Sequence, residues 1–326
     1  GEWIDYSRLA KINAGTYGAT TASRAGDFAK WSSIADSWAN IDAGWSKDAS
    51  GKDVWNSANV KGYDWEQYGK QVGVSTEHTL SVSGGSQNSQ AYGSFGYFKQ
   101  EGTQPGQKYE RYTSKVSFDA TPTKWFKMGT AINGSFANQD YGYSFAKSVT
   151  GAGDYYGALR GMLAWTVPYD ANGAYIRNPA AGDVNIINPI DELDYTVNNR
   201  KGFIVNSSFY SQLDFGEMFS PLKGLKYRIQ FGPELRYNRN STFYDKAGIN
   251  GDGSNQATYN TSQILSWTLD NLIYYDRNLG SSHKIGVTLM QSASGYHSES
   301  SNMKSNTLAT TNELWYNIGS GGSLNG

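Results

Sequence analysis

The 326-residue chain carries 28 basic and 29 acidic side chains, no cysteine, and 38 glycines against 7 prolines. A net charge of −1 recommends no polyanion such as nucleic acid as partner, and the missing cysteine excludes disulfides and Cys-ligated zinc. With 24 Tyr, 10 Trp and a mean hydropathy of −0.59, the chain suits strands joined by many turns and is too polar for a conventional core of this size.

Residues 1–74 lack a regular period. The segments Trp3–Ile12 and Asp27–Ile41 predict short helices, and six of the ten Trp fall here (Trp3, Trp31, Trp38, Trp45, Trp55 and Trp65). Tryptophans so concentrated pack an irregular region against a larger body, or else offer stacking surfaces to a ligand.

From Thr79 to Ala137 the residue classes alternate with period two. Phe126, Met128, Thr130, Ile132 and Phe136 share one parity, and Lys127, Gly129, Ala131, Asn133 and Ser135 the other. Alternate side chains of a strand point to opposite faces, so four successive strands are expected, each with an apolar and a polar face. The pattern resumes at Phe203–Phe215, Leu225–Phe231, Leu265–Tyr275 and Ile285–Leu289, giving about eight strands. Tight links are expected near Gly84–Ser89, Ala120–Lys124, Gly216–Lys223 and Leu279–Ser282. They alternate with longer ones at Glu101–Lys108, Asn138–Arg200, Asn240–Ala257 and Ser298–Thr311.

No run reaches the roughly 18–20 apolar residues of a membrane-spanning helix. Strands can still cross a bilayer as a barrel, and long two-faced strands, short turns alternating with long loops, and aromatics near strand ends describe a transmembrane β-barrel. Those aromatics include Tyr97, Phe98, Tyr109, Tyr112, Trp125, Phe126, Tyr274 and Tyr275. A soluble or surface-attached β-rich glycan-binding module is the alternative, with the apolar residues buried between two sheets.

The ordered series LSVSGG (Leu80–Gly85), YGSFGYFKQEG (Tyr92–Gly102), ERYTSKVSFDA (Glu110–Ala120) and TKWFKMGTAINGSFAN (Thr123–Asn138) resembles the first barrel portion of SusC/RagA-type TonB-dependent outer-membrane transporters of Bacteroidetes. The segments VPYDANGAYI (Val167–Ile176), NPIDEL (Asn188–Leu193), LKGLKYRIQFG (Leu222–Gly232) and Ser266–Ser292 follow in the family's order. The resemblance implies an antiparallel transmembrane barrel of about 22 strands, closed by an N-terminal plug and set in outer-membrane lipid. TonB, ExbB and ExbD would energise it through that plug, a SusD-like surface lipoprotein would cover it, and oligosaccharides or peptides would be its cargo. No TonB box or plug motif is found, and the chain opens at Gly1 and stops in GSGGSLNG, so an internal fragment of such a barrel is expected. On this reading residues 1–75 are an irregular, partly helical extracellular loop region and 76–137 the first barrel hairpins. Residues 138–200 form a long aromatic extracellular loop, 201–297 further hairpins, and 298–326 an extracellular loop with the start of another strand.

A catalytic reading finds little support, and neither a cofactor nor a metal site is expected. His78, His283 and His297 are the only histidines, with no HExxH, GxSxG or P-loop motif, and His283 is expected in a tight turn. Asp191, Glu192 and Asp194 lie close enough in sequence to invite comparison with a glycosidase pair, but solvation of an external loop is the expected role. The segment GINGDGSN around Asp252 lacks the spacing of a calcium loop and predicts a turn. For ligand binding the long loop stands out: Tyr141, Tyr143, Tyr155, Tyr156, Trp165 and Tyr169, with Phe145 and Tyr175, accompany Asp140, Asp154 and Asp170. Aromatic faces pack on the C–H faces of sugar rings while carboxylates take their hydroxyls.

Overall fold

The computed structural model describes residues 1–149, 152–180, 186–280, 282–322 and 324–325, with the side chains of 144–149, 152–153 and 324–325 outside the description. Three helices open the chain: α1 (Glu2–Asn13), α2 (Arg24–Trp31) and α3 (Ala35–Asp42). The expected second helix is thus two. Ser23 caps α2, its hydroxyl accepting from the Gly26 N–H. A short hairpin follows, β1 (Trp45–Lys47) with β2 (Asp53–Trp55), and then a 3-10 turn over Trp65–Gly69.

The body of the molecule is one antiparallel sheet of nine strands. In chain order these are β3 (Ser75–Ser86), β4 (Ser89–Glu101), β5 (Gln107–Thr123), β6 (Phe126–Tyr141), β9 (Thr196–Asp214), β10 (Leu225–Tyr244), β11 (Asn255–Leu279), β12 (His283–Leu308) and the short β13 (Leu324–Asn325), each hydrogen-bonded to the next. Between β6 and β9 lie the small pair β7 (Ser144–Val149) and β8 (Ala152–Asp154), and the helix α4 (Tyr155–Arg160). The β9–β10 connection carries α5 (Phe215–Met218). The sheet does not close on itself, and β3 and β13 are its edges among the described residues.

Strands of 12 to 26 residues are long for a soluble sheet. At one end the strands turn tightly, as at Gln87–Asn88 and Lys124–Trp125. At the other end lie the links 102–106, 142–195 and 245–254. At the β9–β10 turn a glycine is obligatory: Gly224 has φ +92°, and a Cβ there would fall 1.9 Å from the Asp276 carbonyl oxygen.

The registers sort the side chains into two faces. Tyr97, Tyr112, Phe136, Phe203 and Tyr237 are successive direct partners across β4, β5, β6, β9 and β10, forming an aromatic row near the long-loop end. Toward the tight turns, Phe126, Leu213, Tyr227, Ile273 and Leu289 make a second row. Between the rows the same parity carries Val116, Ile132, Phe209, Phe231 and Leu269. Ten residues separate Phe126 from Phe136 on β6. At about 3.3 Å per residue and a tilt of about 40°, the band is about 25 Å tall, the height of a membrane-facing apolar belt. The other face is polar: Asn133 donates to Asn206 (3.0 Å), Ser292 to Asp270 (2.6 Å), and the Tyr210 hydroxyl to Asp119.

Two strand ends differ from the expected ones. The β10–β11 ladder continues to Tyr244 opposite Gln256, and β12 runs on to Leu308, through the polar stretch 298–306. Backbone ladders need no apolar side chains, and beyond the apolar band neither face has to be greasy, so periodicity stops where the hydrogen bonds do not.

Candidate functional site

The long connection 142–195 is packed from both sides. From the opening region, Asn40 donates to the Trp165 carbonyl (2.9 Å), the Asp36 carboxylate accepts from the Ala171 N–H (3.0 Å), and the Trp65 indole N–H reaches the Thr166 carbonyl (3.1 Å). Trp165 is buried in a cluster with Ile4, Tyr17, Trp31, Trp38 and Ile41, so the opening tryptophans pack against this loop. Below them Arg8 and Asp27, both buried, form a two-bond ion pair (2.9 and 2.6 Å). Asp27 also accepts from the Tyr17 hydroxyl and the Trp45 indole, while the Arg8 guanidinium lies 4.4 Å from the Trp55 ring. Every strong hydrogen-bonding position of that carboxylate is filled, which is what burial of a charge requires.

Tyr143 and Tyr155 are buried in a second cluster with Trp65, Leu159 and Met162, their rings 6.5 Å apart. The Tyr156 hydroxyl donates to Glu66 (2.5 Å), and its half-buried ring is flanked by Lys70 and Arg160. Tyr169 pairs with Tyr175 and donates to Asp191 (3.2 Å). Tyr141 stands apart from these, at the end of β6 on the polar face of the sheet, with the Arg200 guanidinium 3.9 Å from its ring. The side chain of Phe145 lies outside the described residues.

The acidic cluster departs from the solvated loop expected for it. Glu192 is 1% exposed, and both its carboxylate oxygens accept from the Ile249 N–H at 2.9 Å, tying the 3-10 turn Ile190–Leu193 to the β10–β11 loop. Burial pushes its carboxyl up to about 7, against the opposing pull of the Ile249 N–H, Arg177 and the Tyr143 hydroxyl. The GINGDGSN segment is a turn, with Asp252 at φ +47° and Gly253 at +87°. His283 begins β12 directly after the tight turn, His78 stacks on Tyr97, and His297 meets Glu299 at 2.9 Å.

Tyr141 borders two adjoining hollows at the long-loop end of the polar face, of about 490 and about 360 Å³. The first is lined by Gln100, Gln107 and Tyr109 among others, the second by Arg200, Asn238 and Asn240, and both by Tyr109 and Gln139. Neither hollow is lined by Tyr143, Tyr155, Tyr156, Trp165 or Tyr169. The registers explain why the second hollow exists: directly beneath Gln139 and Arg200 lie the small residues Ala137 and Gly202. Of these strand residues, periodicity singles out only Tyr109, as a girdle aromatic, whereas its pairing with Gln139 puts it on the polar face. The signal was present in the parity, since Tyr109, Arg111, Lys115, Gln139, Arg200 and Asn238 all fall on the polar face.

An open antiparallel sheet with an apolar belt on one face, a polar surface on the other and long loops at one end has the make-up of a transmembrane β-barrel wall. Comparison with known proteins gives the nearer kinship. Three receptors of Formosa agariphila match: TonB-dependent receptor P3 (27% identical, covering 67% of this chain and 21% of the relative), P39 (28%, 61% and 20%) and P26 (26%, 63% and 20%). The chain therefore spans about a fifth of the length of these relatives. Among solved structures it is similar to the RagAB peptide importer in its closed-closed state (TM-score 0.61, 19% identity, 91% of this chain and 32% of that one). It is also similar to the RagAB peptide transporter (0.56, 19%, 74% and 30%). No family model matches. In sequence the chain is thus similar to TonB-dependent receptors, and in fold to the SusC/RagA-like importer RagAB.

Proposed function

We propose that this chain forms part of the wall and outer loops of an outer-membrane, TonB-dependent transporter that imports oligosaccharides or peptides and is covered by a SusD-like lipoprotein. The carrying observation is the aromatic-bounded apolar belt on one parity of eight long strands. Such a belt meets lipid in a barrel, whereas in a soluble module it would need a second sheet, and the described strands form one large sheet with two small two-stranded ones. The likeness to a peptide importer and to named TonB-dependent receptors supports transport as the task. A plug outside this chain would couple the barrel to TonB, ExbB and ExbD. The cargo would cross on the polar face, and the chain itself would break no bond.

Within that reading Tyr141, Tyr156 and Tyr169, which keep partly open rings, contact cargo or lid. Tyr143, Tyr155 and Trp165, being buried, hold the loop that presents them. The test is uptake of labelled oligosaccharide and peptide pools by cells whose full-length protein carries or lacks residues 142–195. TonB-dependent accumulation that falls on deletion, with the barrel still in the outer membrane, is expected. Recovery of the full-length protein in the soluble fraction would overturn the assignment.

A further inference from the structure

The polar face beneath the hollows is unusually cationic for a surface that is otherwise built of amides and hydroxyls. Arg111, Lys115, Arg200 and Arg236 all fall on this parity within four successive rows of the sheet. The acids on the same rows and parity are Glu234, which pairs with Arg236 at 3.1 Å, and Glu77, two strands away from Arg111. Arg111, Lys115 and Arg200 have no ion pair among the described residues. Each instead lies over an aromatic ring: Arg111 5.6 Å from Phe98, Lys115 5.8 Å from Tyr92, and Arg200 3.9 Å from Tyr141. A guanidinium over a ring makes no hydrogen bond to it, so its N–H donors stay available to a carboxylate or sulfate two bonds at a time.

Around these cations stand Gln100, Gln139, Asn133, Asn206, Asn238 and Asn240. An amide both donates and accepts, as a sugar hydroxyl does, so the two satisfy one another in any ring orientation. An acidic peptide would also bring apolar side chains, whereas the hollow beside Arg200 is lined, apart from Tyr109 and Tyr141, by polar or small residues, among them Gln139, Asn238, Asn240, Ser262, Ala137 and Gly202.

We propose that this face binds acidic oligosaccharides, chains of sugar units bearing carboxylate or sulfate-ester groups, with Arg200 and Arg111 as the anion-reading residues. The proposal rests on the transporter reading and narrows its cargo. Carboxylate and sulfate share the chemistry that recognises them, and the test separates the two.

The test uses the full-length transporter complex in detergent and titration calorimetry at two salt concentrations. The probes are a uronate oligosaccharide series, a sulfated oligosaccharide series, the carboxyl-reduced and desulfated counterparts of each, and an oligoglutamate peptide of equal charge. One acidic series is expected to bind at least about tenfold more tightly than its neutral counterpart, less so at high salt. Arg200→Gln and Arg111→Gln should each remove about tenfold of that difference, and Arg200→Lys should restore part of it. Equal affinity for acidic and neutral sugars, binding of the peptide alone, or no binding of either acidic series would each overturn the proposal. TonB-dependent uptake of acidic oligosaccharides that is insensitive to both substitutions would overturn it too, yet leave the transporter reading standing. Loss of all TonB-dependent uptake as a property of the wild-type protein would remove both.

Discussion

Glu192 shows how one side chain sets the loop's response to pH. Its carboxyl is raised from 4.5 to about 7 in the folded loop, so the folded state holds the proton more tightly than an unfolded or opened one. Docking of the Ile190–Leu193 turn on the Ile249 backbone is therefore fully favoured below about pH 4.5 and weakens as the pH rises to about 7. Glu192→Gln keeps an acceptor for the Ile249 N–H without the charge. The variant should hold the loop closed equally well at pH 5 and pH 8, gaining up to about 3 kcal/mol over the wild type at the higher pH. Hydrogen exchange of the 245–254 loop measures this; a wild-type loop equally protected at both pH values would contradict it. The Arg8–Asp27 pair gives a second prediction. Removing one partner strands a buried charge, so Asp27→Ala should cost about 3–5 kcal/mol and expose the opening helices to limited proteolysis, while the strands stay folded.

At the scale of the element, parity decides what a substitution does. Ile132 sits on the apolar face and Asn133, its neighbour on β6, on the polar one. Ile132→Lys should cost about 2–4 kcal/mol of barrel stability and Asn133→Lys much less, read as loss of heat-modifiable gel mobility in the full-length protein. Similar losses from both would mean that the belt does not face lipid. Likewise the Trp267 ring lies across Gly295 on the neighbouring strand, where a Cβ would come within 2.4 Å of the indole nitrogen, so Gly295→Val should displace the indole and quench or shift its fluorescence.

The same scale explains what could be read beforehand. The strands from Thr79 to Ala137 were legible because an apolar belt on one face forces period two. The far end of β12 was not, since residues above the belt are polar on both faces. Nor was the burial of Tyr143, Tyr155 and Trp165. Aromatics in a long loop look available in sequence, and only the docking of α3 and the Trp65 turn against them, contacts more than a hundred residues apart, takes Trp165 out of water. Glu192 was misplaced for the same reason, its partner Ile249 being 57 residues away.

For the whole molecule, the open sheet carries two opposed surfaces whose chemistry differs across the apolar belt. The apolar one needs lipid, and the polar one, with its cations and amides, needs water and a hydrophilic cargo. Because the chain has no cysteine of its own, single cysteines placed in it report on these surfaces once any cysteine elsewhere in the full-length protein has been replaced. The most direct test places them at Val116 and Ile132 on one face and at Lys115 and Asn133 on the other, in the full-length protein in intact outer membranes. A water-soluble maleimide should label Lys115→Cys and Asn133→Cys, and should reach Val116→Cys and Ile132→Cys only after detergent is added. Equal labelling of both pairs in the intact membrane, or the reverse order, would contradict the barrel-wall account.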